Sequence, residues 1–184
     1  NHPTKAFDDA ALPVLEKLGI RLVPVDLGTT LPVRTLGLIL NAESAAAFDV
    51  LTRGKDDDLM LPDPERSTWP NSFRQARMIP AVEYIQATRV RTLLMRSVHE
   101  ALKNVDVLVA PSTLGSILQI TNHTGHPCVV LPNGFNTDNT PVSLSFIGGL
   151  YQEAETLRVA KAYQDATGFH LKYPPEFTVT ASDA

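Results

Sequence analysis

The stretch 121–148 limits what this chain can fold into more than any other. It holds two short apolar runs, Cys128–Leu131 and Val142–Ile147, each entered from a proline and bounded by glycine or asparagine turn chemistry. Runs this short are below helix length, and with such punctuation they predict two buried strands. Pro127, Pro132 and Pro141 mark the expected strand ends. Between them, Asn136-Thr-Asp-Asn-Thr140 is polar and rich in residues that tolerate left-handed backbone, which predicts a tight surface connection, a hairpin or a short excursion.

The remaining chain supplies helices. Asp8 to Leu18 reads as a helix stopped by Gly19, with Pro13 interrupting its pattern, and Ile20–Val25 reads as a strand. This helix-to-strand step is usual in α/β proteins. A helix opened by Asn41 or Glu43 is expected to reach Arg53 before Gly54, with Ala45-Ala-Ala-Phe48 as its packing face. A long irregular connection, Lys55 to Asn71, carries Pro62, Pro64, Pro70 and the only tryptophan, Trp69. From about Pro80 to Lys103, apolar residues at Val82, Ile85, Val90, Leu93, Leu94, Val98, Ala101 and Leu102 recur near a 3.6-residue period. Val105–Ala110 then reads as a buried strand ended by Pro111.

Composition excludes several classes. With 184 residues, 43% of them hydrophobic and 20% charged, the chain suits one compact globular unit spanning residues 1–184. A net charge of −4 argues against a nucleic-acid backbone or an anionic membrane surface as a main partner. No apolar run approaches the ~18–20 residues of a membrane span. One cysteine rules out an intrachain disulfide and fits a reducing, cytoplasmic setting. The charge run Lys55-Asp-Asp-Asp58 is read as a solvated loop.

Three groups of residues invite chemical readings. His123 and His126 have a spacing that could pair two imidazoles on a helix as metal ligands. Gly125 and Pro127 argue instead for a loop with exposed or locally bonded histidines, and no metal or other cofactor is expected. Cys128 could be a nucleophile with those histidines as bases. Set between proline and Val-Val-Leu, it reads better as a small buried hydrophobe. Asn122 and Gly125, just before a strand, either face a substrate cleft or cap a turn.

The pattern Asn122-x-x-Gly125-x-Pro127, Pro132-x-Gly134, Pro141-Val-Ser and Ile147-Gly148 resembles the C-terminal part of the amidase signature family. Upstream, Ala81-x-x-Tyr84-x-x-Ala87-x-x-x-Arg91 followed by Val105-Asp-Val-Leu-Val-Ala-Pro-Ser112 is similar to that family's long helix and the strand after it. Downstream, Glu155-x-x-Leu-x-x-Ala160-x-x-x-Gln164 resembles its final helix. The likeness runs from about Arg77 to Pro175, with Asn41-Ala-Glu-Ser-Ala-Ala-Ala-Phe48 the best match before that.

The resemblance implies an α/β chain forming part of a layered α/β/α mixed-sheet amidase fold, with long helices packed on the sheet. It also implies chemistry on the carbon–nitrogen bond of linear amides. Family members use a serine nucleophile, a second serine in a cis peptide and a lysine, with a Gly/Ser-rich loop holding the oxyanion. None of these catalytic residues is in this chain. The resemblance therefore implies the C-terminal portion of a longer enzyme, inactive alone, whose partner is the N-terminal catalytic half of the same polypeptide and whose pocket wall it forms. Surface left uncovered could drive self-association into a homo-oligomer.

By the same resemblance, Arg91 is a ligand for the carboxylate of a glutamine-like substrate, its guanidinium fork suiting a carboxylate. The other reading pairs Arg91, Arg89 or Arg96 with acidic groups on the same helix surface. Tyr84, seven residues earlier on a similar face, lines the same cleft or simply packs. Two further readings stay open: a non-catalytic binding or scaffold protein retaining the amidase-like half, and one component of a tRNA-dependent amidotransferase.

Overall fold

A computed structural model describes residues 2–60, 69–112 and 115–173. The helices are α1 (Lys5–Lys17), α2 (Gly37–Ala47), α3 (Asp49–Gly54), α4 (Trp69–Ala76), α5 (Ala81–Leu102), α6 (Ile117–Thr124) and α7 (Glu153–Thr167). The strands are β1 (Val107–Pro111), β2 (Cys128–Phe135) and β3 (Pro141–Gly148), so the chain is α/β. It divides into two compact units, Asn1–Gly28 with Val98–Ala184, and Thr29–Ser97, a finer division than the single unit expected from length. The boundary falls inside α5.

The first unit is built on a three-stranded antiparallel sheet of order β1-β3-β2. Its core joins Ala11 and Leu15 of α1, Leu131 of β2, Leu144 and Phe146 of β3, and Ala160 and Tyr163 of α7. Phe146 and Tyr163 meet with ring centroids 5.3 Å apart. The two runs seen in the sequence are the paired strands of a hairpin. In its turn, Asn136 N–H donates to Thr140 O at 2.9 Å, and Asn139 takes the left-handed conformation at φ 63°.

Pro132 does not end β2, as expected, but sits within it. The register slips between Pro132 and Gly134, so the strand continues to Phe135 past a bulge that tolerates a missing N–H. Gly134 is required there. Its φ is 139°, and a Cβ would lie 2.5 Å from the Phe7 ring.

Helix α1 begins three residues earlier than expected and runs through Pro13. It closes with paired bonds from Gly19 N–H to Glu16 O and from Ile20 N–H to Leu15 O, with Gly19 at φ 82°. That double closure puts Ile20 back onto the core beside Leu15. Ile20–Val25 is not a strand. Ile20 and Leu22 pack on the core as the alternation demands, but no described segment pairs with their backbone, and a strand exists only by pairing.

The second unit is helical. The single helix expected from Asn41 to Arg53 is two helices, broken at Phe48, whose φ of −103° and ψ of 21° serve as cap to both. Its ring stacks on Phe73 of α4, with centroids 5.1 Å apart. The left-handed residue after α3 is Lys55 and not Gly54. The acidic run is not wholly solvated either. Asp57 is buried, with Oδ2 lying 2.8 Å from Arg74 Nη2, while Asp58 accepts a hydrogen bond from the same nitrogen at 2.5 Å. Of the expected Lys55–Asn71 connection, residues 61–68 lie outside the described residues, and its end is already helical in α4.

Helix α5 matches its expected span closely. Leu94, Val98 and Leu102 are buried, whereas Val82, Ile85 and Leu93 of the same apolar pattern are exposed. No helix among the described residues is long and apolar enough to cross a membrane.

Candidate cleft in the helical unit

In the helical unit a cleft of about 520 Å³ is lined by α2, the start of α3, the α4–α5 connection and the first turn of α5. Half of its lining residues are alanine: Ala42, Ala45 and Ala46 from α2, then Ala76 and Ala81. At i, i+3 and i+4 the three α2 alanines share one helix face, and their small side chains leave the space open. The polar groups are Glu43, Asp49, Arg77 and Tyr84.

Those four form two pairs. Tyr84 donates its hydroxyl to Glu43 Oε1 at 3.0 Å. This bond, and then the carboxylate's charge, push the phenol's pKa above its ordinary value, with Arg91 opposing. Arg77 donates to Asp49 Oδ1, and Asp49 Oδ2 accepts from Arg53 Nε at 2.5 Å. Arg53 first, then Arg77, hold the Asp49 carboxyl below the usual carboxylate range. A guanidinium has five N–H donors, so one bond to Asp49 leaves Arg77 with donors to spare. Guanidinium donors and a Glu43 acceptor among the walls of one alanine-rich cleft suit a small ligand that both accepts and donates hydrogen bonds.

Of the residues singled out from sequence, Tyr84 lines this cleft. Arg91 does not; it lies two turns along α5, close enough for its charge to act on Tyr84. Arg77, Glu43 and Asp49 were not foreseen. The one available signal was the Ala-x-x-Ala-Ala run of α2 with Glu43 inside it.

Asn122 and Gly125 belong to the sheet unit. They sit on a helix that the sequence hid, α6, with Asn122 exposed in its last turn and Gly125 at φ 77° just beyond it. Gly125 N–H closes the helix on Thr121 O at 2.9 Å. His123 is helical and half-buried, and His126 is buried and locally bonded. Thr124 Oγ1 lies 2.7 Å from His126 Nδ1 and donates its one proton to Ile120 O at 2.8 Å, which leaves His126 Nδ1–H as the donor between them. Burial, then the charge of His99, lower the His126 pKa.

Cys128 is exposed, not buried as expected. It lies on the edge strand β2, where Cys128 and Val130 face outward while Leu131 faces in. Among the described residues, no group of three His, Cys, Asp or Glu side chains could hold a metal ion.

The sheet unit also holds a buried polar chain. Tyr163 donates its hydroxyl to Asn133 Oδ1, and Asn133 Nδ2 donates to Asp8 Oδ1 at 3.3 Å. Burial, and secondly the Asp8 charge, push the Tyr163 phenol up to about 12.

No family model matches the chain. A glutamyl-tRNA(Gln) amidotransferase subunit from Acinetobacter baumannii (strain AYE) is 28% identical over 206 residues, covering 91% of this chain and 42% of that protein. Among solved structures, a bacterial aryl acylamidase of the amidase signature family superposes with a TM-score of 0.71 at 18% identity, over 93% of this chain and 41% of that one. The allophanate hydrolase of Kluyveromyces lactis gives a TM-score of 0.71 at 20% identity, over all of this chain and 34% of its own. The chain thus spans about two fifths of the length of the curated relatives it matches.

Proposed function

We propose that this chain, similar over nine tenths of its length to a portion of an amidotransferase subunit and sharing the fold of amidase signature enzymes, forms a wall of the substrate pocket of an amidase-type enzyme. The enzyme acts on the carbon–nitrogen bond of linear amides, and the serine, cis-serine and lysine chemistry that the resemblance implies comes from an N-terminal catalytic half. The observation that carries this reading is the cleft. An amide presents a carbonyl acceptor and N–H donors, and the cleft is lined by both the Arg77 guanidinium and the Glu43 carboxylate.

In this reading Tyr84 orients Glu43, and Arg91 sets the field on Tyr84 or takes a substrate carboxylate. Asn122 and Gly125, at the end of α6 in the sheet unit, are proposed separately as substrate contacts of that unit, through the Asn122 side-chain amide and the Gly125 carbonyl. A second reading, nitrogen transfer from glutamine, draws support from the amidotransferase relative at 28% identity.

The test is ammonia release from glutamine, asparagine and an aromatic amide, by the chain alone and with its upstream catalytic half. Release only on mixing is the expected result, with Arg77→Met raising KM about tenfold at little changed kcat, the mark of lost binding. Release by the chain alone, or no release from any amide in the mixture, would overturn the proposal.

A further inference from the structure

A second cavity in the helical unit, about 330 Å³, is lined by Ser44, Phe48, Leu51, Met60, Trp69 and Phe73. It is chemically unlike the cleft, because among the described residues none of its lining side chains is charged. Three rings form a ladder along it: Phe48 lies 5.1 Å from Phe73 with 24° between planes, and Trp69 lies 5.6 Å from Phe73 with 28°. Phe73 is buried at 3%, yet Phe48 and Trp69 stay 47% and 49% exposed. Two aromatic faces are therefore held on a fixed base and left open to a concave site.

Each property of the cavity selects its occupant. With no charged side chain among the described lining residues, a desolvated ion would find no partner on these walls. Ring centroids in the stacking range favour another aromatic ring, and the Met60 thioether adds a soft contact of the same preference. The volume sits at the low end of small-molecule sites, room for one ring system. Ser44 supplies a hydroxyl, both donor and acceptor, for one polar substituent. We propose that this cavity binds a neutral small molecule with a single aromatic ring and one hydrogen-bonding substituent. The inference stands apart from the amide reading, because it uses neither the cleft nor any catalytic group.

Trp69 is the chain's only tryptophan, so its emission reports this site alone. The intact chain is titrated with benzyl alcohol and with benzoate, a charged ligand of nearly the same shape. The expected result is a saturable change with benzyl alcohol and binding of benzoate weaker by about tenfold or more. Ser44→Leu, which fills the cavity, lowers benzyl alcohol affinity about tenfold while the circular-dichroism melt stays in place. Should that variant fail to fold, Phe48→Ala, at a half-exposed position, gives the same reading. A response that never saturates, equal affinity for the two ligands, or unchanged affinity in the folded cavity variant would overturn the proposal.

Discussion

Adding one methyl group at Gly148 tests how tightly α7 is seated on the sheet. Gly148 ends β3 and donates its N–H to Pro127 O at 3.0 Å. A Cβ built there would lie 1.9 Å from Thr156 Oγ1 and 3.0 Å from Gln152 O. Thr156 is wholly buried, and its hydroxyl donates to Gln152 O at 2.8 Å, so it cannot swing aside without abandoning that bond. Gly148→Ala must therefore move the first turn of α7 by about 1 Å or break the threonine's bond, and close-packed interiors resist both. Overpacking costs about 1–3 kcal/mol, and a backbone-anchored clash belongs at the upper end, near 3 kcal/mol. That is a large share of a stability of roughly 5–15 kcal/mol, and it lowers Tm by about 6–12 °C in a chain of this size.

The assay is urea unfolding of Gly148→Ala, Thr156→Ala and the double variant. Thr156→Ala alone costs about 1 kcal/mol for its hydrogen bond. In the double variant the 1.9 Å contact is gone, and the remaining contacts, 3.0 Å to Gln152 O and 3.3 Å to Thr156 Cβ, are within reach of small shifts. The pair should then cost about 2 kcal/mol, well under the sum of the singles. A Gly148→Ala protein within about 0.5 kcal/mol of the parent would refute the reasoning, since that is the range of an unremarkable surface change. A strictly additive double variant would refute it equally.

Arg74→Met strands the buried Asp57 carboxylate and should cost about 2 kcal/mol, less than a fully buried pair because Arg74 is half-exposed; adding Asp57→Asn should restore most of it in chemical denaturation. The lowered His126 pKa means that the unfolded chain binds a proton more readily than the folded one, so the stability it contributes is present above about pH 6.5 and is lost as pH falls below that. His126→Gln should flatten this part of a stability–pH curve, and an unchanged slope would remove His126 as its source. Tyr163, raised to about 12, contributes stability that is present below about pH 10 and lost as pH climbs toward 12. Tyr163→Phe should remove that loss and cost about 1–3 kcal/mol at neutral pH by leaving Asn133 Oδ1 buried without its donor, read by thermal melting.

The hairpin β2–β3 and helix α5 were legible because their residues carry the pattern themselves, proline-bounded apolar runs for the strands and a 3.6-residue period for the helix, whereas α7 was read from its resemblance to a family helix. Elements defined by a partner were not. Ile20–Val25 has strand alternation and uses it to pack on the core, yet strand pairing depends on a neighbour that no described segment supplies. Helix α6 was hidden for a different reason. It has only eight residues, and the Gly125 and Pro127 that follow it read as loop, although a left-handed glycine is how such a helix stops.

The candidate site divides along the same line. Tyr84 could be picked out because it belongs to a recognisable motif, but the cleft it lines is made by what the sequence lacks, bulk at Ala42, Ala45, Ala46, Ala76 and Ala81. The three alanines of α2 left the one local mark, and only the fold brings Ala76 and Ala81 to join them. Arg77 and Asp49 are 28 positions apart, and only the fold brings their charges together. The same holds for Phe48. In the sequence it closes a helical packing face, but in the structure it breaks the helix and places its ring on Phe73, so that one residue both ends α2 and opens the aromatic cavity. Substituting Phe48 should therefore alter ligand binding more than stability, because its half-exposed ring contributes less to the core than to the wall of the cavity.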